Sequence, residues 1–316
     1  MEVIGNLLSG MLVFSTPFIF AALGGLISER SGVINIGLEG FMVSGAFFSA
    51  IIAYYAETAG LGALSPWIGL LGAFIFTVIF SIIHALATIK YKANQVVSGV
   101  VINILAASTT FFFVKMIFQG SAETPMLANV FHKVRIPYLS DIPFIGKVIF
   151  SAYPTTYLAI LLVIVIFFIL FKTPSGLRLR AVGEHPSAAD TAGIKVNRIR
   201  YTAVMLSGSL AALGGATIVL TSNSNFAFNT ISGQGYIALA AVIFGKWHPV
   251  GAMLAALFFG LAQAVKDQFQ ILEFAAKIPT EFFYMLPYLL TLLVLVFTGK
   301  ARAPKALGEP YDVGKR

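Results

Sequence analysis

Amides and one carboxylate interrupt otherwise apolar runs of this sequence. Asn35 and Glu39 stand at the head of one run, Gln95, Gly99 and Asn103 punctuate a second, and Asn223, Asn225 and Phe226 follow a third. These groups hydrogen-bond; they do not attack. In apolar surroundings each needs a partner, because an unpaired polar group there is costly, and such residues often mark a solute path. Read as a helix from Val33, the second run places Glu39 ~9 Å into the helix. A carboxylate near a helix centre costs roughly 2.5–3.5 kcal/mol on insertion scales. Asn35, Glu39 and Met42 then share one face at i, i+4, i+7. That face lines a solute path, or it ties helices together, or Glu39 pairs with Arg30. Asn103 lies nine residues past Asn94, ~13 Å deep, on a face with Gln95, Gly99 and Thr110. Gly99 admits either a solute or a second helix. Asn223, Asn225 and Phe226 suit stacking plus hydrogen bonding to a small ring, or form an ordinary polar loop.

Catalytic chemistry is missing from the pattern. No G-x-x-x-x-G-K-[ST] phosphate loop occurs, so the chain is not expected to hydrolyse ATP itself. His84, His132, His185 and His248 have no metal-ligand spacing and read as loop or interfacial residues. No G-x-S-x-G element is present, and there is no Cys. We expect no catalytic residue, no metal and no cofactor.

The elements that must position these residues are membrane helices. Of the 316 residues, 58% are hydrophobic and 11% charged, against about 25% charged in soluble domains. Mean hydropathy is +0.88, and a bilayer is the solvent that tolerates such a surface. Nine apolar segments are legible at 10–28, 33–54, 64–89, 94–118, 153–171, 201–222, 235–245, 250–265 and 279–298. The seventh is short enough to be a half-helix. Met1–Gly10 has no Lys or Arg, so the first segment reads as a retained helix and not a signal peptide. With the N-terminus outside, most of the 21 basic residues fall inside: Arg30, Lys90, Lys92, the cluster from Lys172 to Arg200, Lys246 and those from Lys300 onward. That asymmetry is the positive-inside signal. The fold expected is an all-α polytopic membrane helix bundle with the N-terminus out and the C-terminus in. Residues 1–300 form the membrane domain, with an external loop at 119–152 and a charged inner loop at 172–200. Residues 301–316 form a basic inner tail whose composition is that of a disordered end.

Within the inner loop, Pro186 suits the first turn of a short helix and Gly193 a left-handed stop. Ser187–Ala192 between them carries small side chains. They suit either a surface connector or close approach by another backbone.

Ser187-Ala188-Ala189, three residues, then Gly193-Ile194 resembles the EAA-x3-G coupling segment of the permeases of ribose and branched-chain amino acid ATP-binding-cassette importers. Ser187 stands where that segment usually has Glu. The stretches Gly25-Leu-Ile-Ser-Glu-Arg-Ser-Gly-Val-Ile-Asn-Ile-Gly-Leu-Glu-Gly40 and Lys92-Ala-Asn-Gln-Val-Val-Ser-Gly-Val-Val-Ile-Asn103 are similar to the subgroup that imports nucleosides and some simple sugars. The resemblance implies a cytoplasmic ATPase contacting Glu184, Ser187, Ala188, Ala189 and Gly193. It also implies a second permease, identical or related, and an external substrate-binding lipoprotein. No nucleic acid partner is implied, and the expected location is the cell (inner) membrane. The solute would be a nucleoside, with a simple sugar second. The rival is an ion-coupled secondary transporter or channel, in which Glu39 would titrate.

Overall fold

In the computed structural model, residues 2–135, 137, 140, 150–270, 285, 289 and 302–312 are described. Most of the described residues are helical. Helix α1 spans Glu2–Arg30, α2 Leu38–Thr58, α3 Ser65–Phe76, α4 Val78–Ala85 and α5 Gln95–Ile117. They are followed by α6 Pro154–Lys172, α7 Pro174–Glu184, α8 Pro186–Thr191, α9 Val196–Ile218, α10 Gln234–Phe244 and α11 Pro249–Gln270. A π-helical turn, Leu86–Lys90, extends α4, and another, Val219–Asn223, extends α9. A two-stranded antiparallel pair joins Val134–Arg135 to Ser151–Ala152.

Among the described residues, seven helices are long and apolar enough to cross a bilayer: Ile4–Arg30, Leu38–Thr58, Gly62–Lys90, Gln95–Ile117, Pro154–Lys172, Val196–Asn223 and Pro249–Gln268. These match the first six sequence segments and the eighth. The seventh is α10, whose 11 residues rise ~16 Å, about half of the ~30 Å apolar core. The ninth segment, 279–298, lies outside the described residues.

Local sequence explains the helix starts. Proline occupies the first position of α6, α7, α8 and α11, where its missing N–H costs no bond. Asn94 caps α5 by accepting from Val96 and Val97 N–H. Gly193 ends the α8 turn at φ +80, as the Pro186–Gly193 spacing predicts.

Helix α1 packs between α9 and α11, and α2 between α9 and α3. Small residues permit this. A Cβ on Gly45 or Gly215 would collide with the backbone of Ala212 or Met42, so α2 and α9 approach to backbone contact. Elsewhere apolar side chains point outward. Leu71, Ile75 and Ile79 on α3–α4, Val97, Ile104 and Phe112 on α5, and Leu161, Ile164 and Phe168 on α6 are exposed. A run of such faces is what hydrocarbon contact requires, not water.

Residues sort cleanly by end. Arg30, Lys92, Gly183, Trp247 and the stretch 304–312 meet at one end. Glu57, Thr124, Asn129 and Phe226 meet at the other.

Candidate functional site

The helix expected from Val33 begins five residues later. Residues 31–37 are a non-helical junction between α1 and α2, so Asn35 and Glu39 do not share a helical face. Gly32 takes φ +91, a conformation that costs other residues energy, and the backbone of the junction then needs partners from elsewhere. Remote polar side chains supply them. Gln95 Oε1 accepts from Ile34 N–H at 2.6 Å, and Ser28 Oγ donates to the Val33 carbonyl at 2.8 Å. His84 Nε2 faces the Ile34 carbonyl at 3.4 Å while its Nδ1 meets Ser98 Oγ at 2.9 Å. Asn35 Nδ2 donates to Ser207 Oγ at 2.7 Å. Asn103 bridges three groups. Its Oδ1 accepts from Gly40 N–H at 2.8 Å, and its Nδ2 reaches the Ile36 carbonyl at 3.1 Å and Tyr236 Oη at 3.0 Å. Gly99 stands so close that a Cβ would lie 2.9 Å from Gly37 N. Its role here is helix packing against the junction.

Glu39 is the first acidic residue of α2, one position inside the helix and not six. Its two oxygens accept from Gly233 N–H at 2.5 Å and Gly235 N–H at 2.6 Å. The carboxylate therefore sits on the N-terminus of the half-helix α10, where orphan N–H groups and the helix dipole both favour an anion. Arg30 is not its partner: Arg30 Nε donates to the Trp247 carbonyl at 2.9 Å.

Five of the eight proposed path residues, Asn35, Glu39, Gln95, Gly99 and Asn103, thus converge on this junction. Asn35 and Gln95 are buried, whereas Asn103 is half-buried and Tyr236 is 47% exposed. The Asn103–Tyr236 pair gives the junction a polar opening between α5 and α10. The remaining three lie toward the other end. Asn225 Nδ2 donates to Glu123 at 3.0 Å. Phe226 is buried with its ring edge-on to Phe47, at 5.8 Å between centroids, so its face belongs to the core. Asn223 closes the π-helical turn, exposed. Beside them, Tyr54, Tyr55, Phe118, Gln119, Glu123 and Asn225 help line an open cavity of about 590 Å³.

Sequence reading missed four groups. His84 is not interfacial but fully buried. Tyr236 and Ser207 join the junction from helices far along the chain. Buried Glu29 accepts from Trp247 Nε1 at 2.5 Å, which fixes the end of α1 to the turn between α10 and α11. These pairings are 14 to 218 residues apart in the chain, and only His84 and Ser98, on neighbouring segments, were within reach of a sequence argument.

The residues expected to meet an ATPase lie together on α7, on α8 and just beyond it. Ser187 and Ala188 are exposed, but Ala189 is 4% exposed and packs with Val182, Val196 and Tyr311. Half of the expected Ala-Ala contact therefore faces the chain's own core. Glu184 ends α7, and Gly193 has open space where a Cβ would stand. Among the described residues no cluster of His, Cys, Asp or Glu could hold a metal ion.

The family described as "Branched-chain amino acid transport system / permease component" matches residues 7–295. The chain belongs to this permease family. Permease components carry transport, not ATP hydrolysis, which accords with the absent phosphate loop. The chain is 50% identical to the guanosine ABC transporter permease protein NupQ of Bacillus subtilis, over 100% of this chain and 99% of that protein. It is 42% identical to the nucleoside ABC transporter permease protein NupC of Lactococcus lactis, over 98% and 97%. A second Bacillus subtilis protein, the guanosine ABC transporter permease protein NupP, is 24% identical over 78% of this chain and 69% of its own length. This permease is a multi-pass membrane protein whose helices supply the partners of the polar junction at 31–37.

Proposed function

We propose that this permease carries a nucleoside inward, a purine nucleoside first among candidates, in an importer driven by separate ATPase subunits. Full-length 50% identity to a guanosine permease carries the reading. An external binding lipoprotein delivers the solute, and the ATPase docks on the end formed by α7 and α8. The second permease is a related chain, as the pair of guanosine permeases NupQ and NupP in one organism suggests. The complex sits in the cell membrane with nine spans, the N-terminus outside and the C-terminus inside.

The solute path runs along the face that carries Asn103 and Tyr236, where amide and phenol groups remain within reach of water. Helix α5 forms that face, and only 28% of its most apolar window is buried, the lowest share among the seven long helices. Burial against a second permease would cover it. Asn223 and Asn225 belong to the outer approach, with the aromatic cavity at Tyr54 and Phe118 receiving the base. The ion-coupled alternative needs a carboxylate free to take a proton or cation. Both Glu39 oxygens already accept backbone N–H groups at the start of α10, which favours a role for this carboxylate in holding that helix.

Competition uptake tests the solute. Cells carrying the transporter should accumulate labelled guanosine, and excess unlabelled adenosine or inosine should block uptake where excess glucose does not. Blocking by glucose alone would transfer the assignment to sugars.

A further inference from the structure

The stretch 302–312 has the composition of a loose end, yet it is threaded through the most crowded part of this end of the protein. Ala306 N–H donates to the Gly183 carbonyl at 3.0 Å, one of the C-terminal carbonyls of α7 that the helix itself leaves open. Two residues on, Gly308 N–H donates to the Gly32 carbonyl at 3.1 Å. Gly308 takes φ +85, so its sharp bend suits glycine. Arg200, 2% exposed, donates through Nε to the Ser31 carbonyl at 3.2 Å and through Nη1 to the Glu309 carbonyl at 2.9 Å. Tyr311 packs on Val182, Ala189 and Val196. Asp312 pairs with Lys92.

One short segment therefore touches the α7–α8 unit at Val182, Gly183 and Ala189, the junction at Gly32, and the loop before α5 at Lys92. Arg200 clamps segment and junction together from α9. We propose that residues 304–312, held by Arg200, are a positioning strap that transmits movement of α7–α8 to the 31–37 junction. The reasoning is mechanical. The junction has no helical ladder of its own, and Asn103, which holds its Ile36 carbonyl, also meets Tyr236 on the proposed path. Gly183 brings α7 directly against the junction, its absent Cβ leaving room for the Arg30 carbonyl and Gly32 N. The strap adds main-chain hydrogen bonds to both sides of that contact, so a displaced α7–α8 pulls the junction with it.

The inference rests on the proposed docking of an ATPase at α7–α8, and the test separates the two. The chain has no Cys, so Ile36→Cys gives a single reporter on the junction. Its maleimide labelling rate is measured in the purified ATPase complex with and without ATP plus vanadate. With the strap intact we expect a several-fold change on trapping. With the chain ended at Ala303 the ATPase still co-purifies and hydrolyses ATP, but the ratio of rates falls to about one. Tyr311→Ala should reproduce most of that loss and Tyr311→Phe should not, and this pair decides the matter if the shortened chain fails to insert. No response in the full-length chain would sink the docking reading itself. A full response in both the shortened chain and Tyr311→Ala, beside a responsive parent, would overturn the strap.

Discussion

Asn103 shows how one side chain stabilises a backbone that has no regular structure of its own. It accepts from Gly40 N–H and donates to the Ile36 carbonyl, tying the end of the junction to the first turn of α2. Removing one partner of a buried hydrogen bond costs about 1–3 kcal/mol because the other partner is left unpaired. Asn103→Leu should therefore lower the unfolding midpoint of the detergent-solubilised protein and reduce uptake. Equal midpoints for the parent and Asn103→Leu would remove this residue from the junction. Glu39 obeys the same logic with charge added. Glu39→Gln keeps one acceptor and loses the helix-terminus attraction, worth about 0.3–1 kcal/mol near a surface and up to ~2 kcal/mol when partly buried. Glu39→Ala frees both N–H groups of α10 and should cost more. A protein in which the two variants are equally stable would contradict the carboxylate's place on that terminus.

Among the elements, α8 gives the sharpest separation of roles. Ala188 points outward and Ala189 inward, so bulk at the two positions should act differently. Ala188→Trp should leave the unfolding midpoint within the range of a surface change, about 0.5 kcal/mol, yet uncouple ATP hydrolysis from uptake. Ala189→Trp should overpack the cluster with Val182, Val196 and Tyr311 at a cost of about 1–3 kcal/mol. If Ala188→Trp transports normally, α8 is not the docking element. The limits of sequence reading are visible here. Pro186 and Gly193 announce the helix because their backbone preferences are local. Which alanine faces inward depends on Tyr311, more than a hundred residues away, and no periodicity in a six-residue helix encodes it. The same limit explains the junction. Val33-Ile34-Asn35-Ile36 reads as the start of an apolar helix, and what holds it open is supplied by Gln95, His84, Asn103 and Ser207. The long spans were legible because apolar runs of ~20 residues have few alternatives in a membrane protein. The polar residues were legible as important, since each stood out against apolar neighbours; their partners were not.

For the whole molecule, both ends of the bundle are specialised. One gathers Arg30, Lys92, Arg200, α7–α8 and the strap. The other gathers Glu57, the segment around Thr124 and the aromatic cavity. Between them the half-helix α10 stops at Glu39, halfway through the apolar thickness by its length. Interrupted segments at mid-depth are where transporters place solute contacts, since irregular backbone is tolerated only where protein or a water-filled cavity satisfies it. This arrangement joins the junction beside the proposed solute path to the proposed ATPase-docking end through short, specific contacts, which suits ATP-driven exchange of access better than an ion-coupled site. The most direct measurement is labelled guanosine uptake into proteoliposomes holding the permease complex purified from its native membrane, with its binding lipoprotein outside. Enclosed ATP should drive accumulation that a non-hydrolysable analogue does not support and that an ionophore leaves intact. Accumulation that proceeds without ATP and collapses with the ion gradient would contradict the importer.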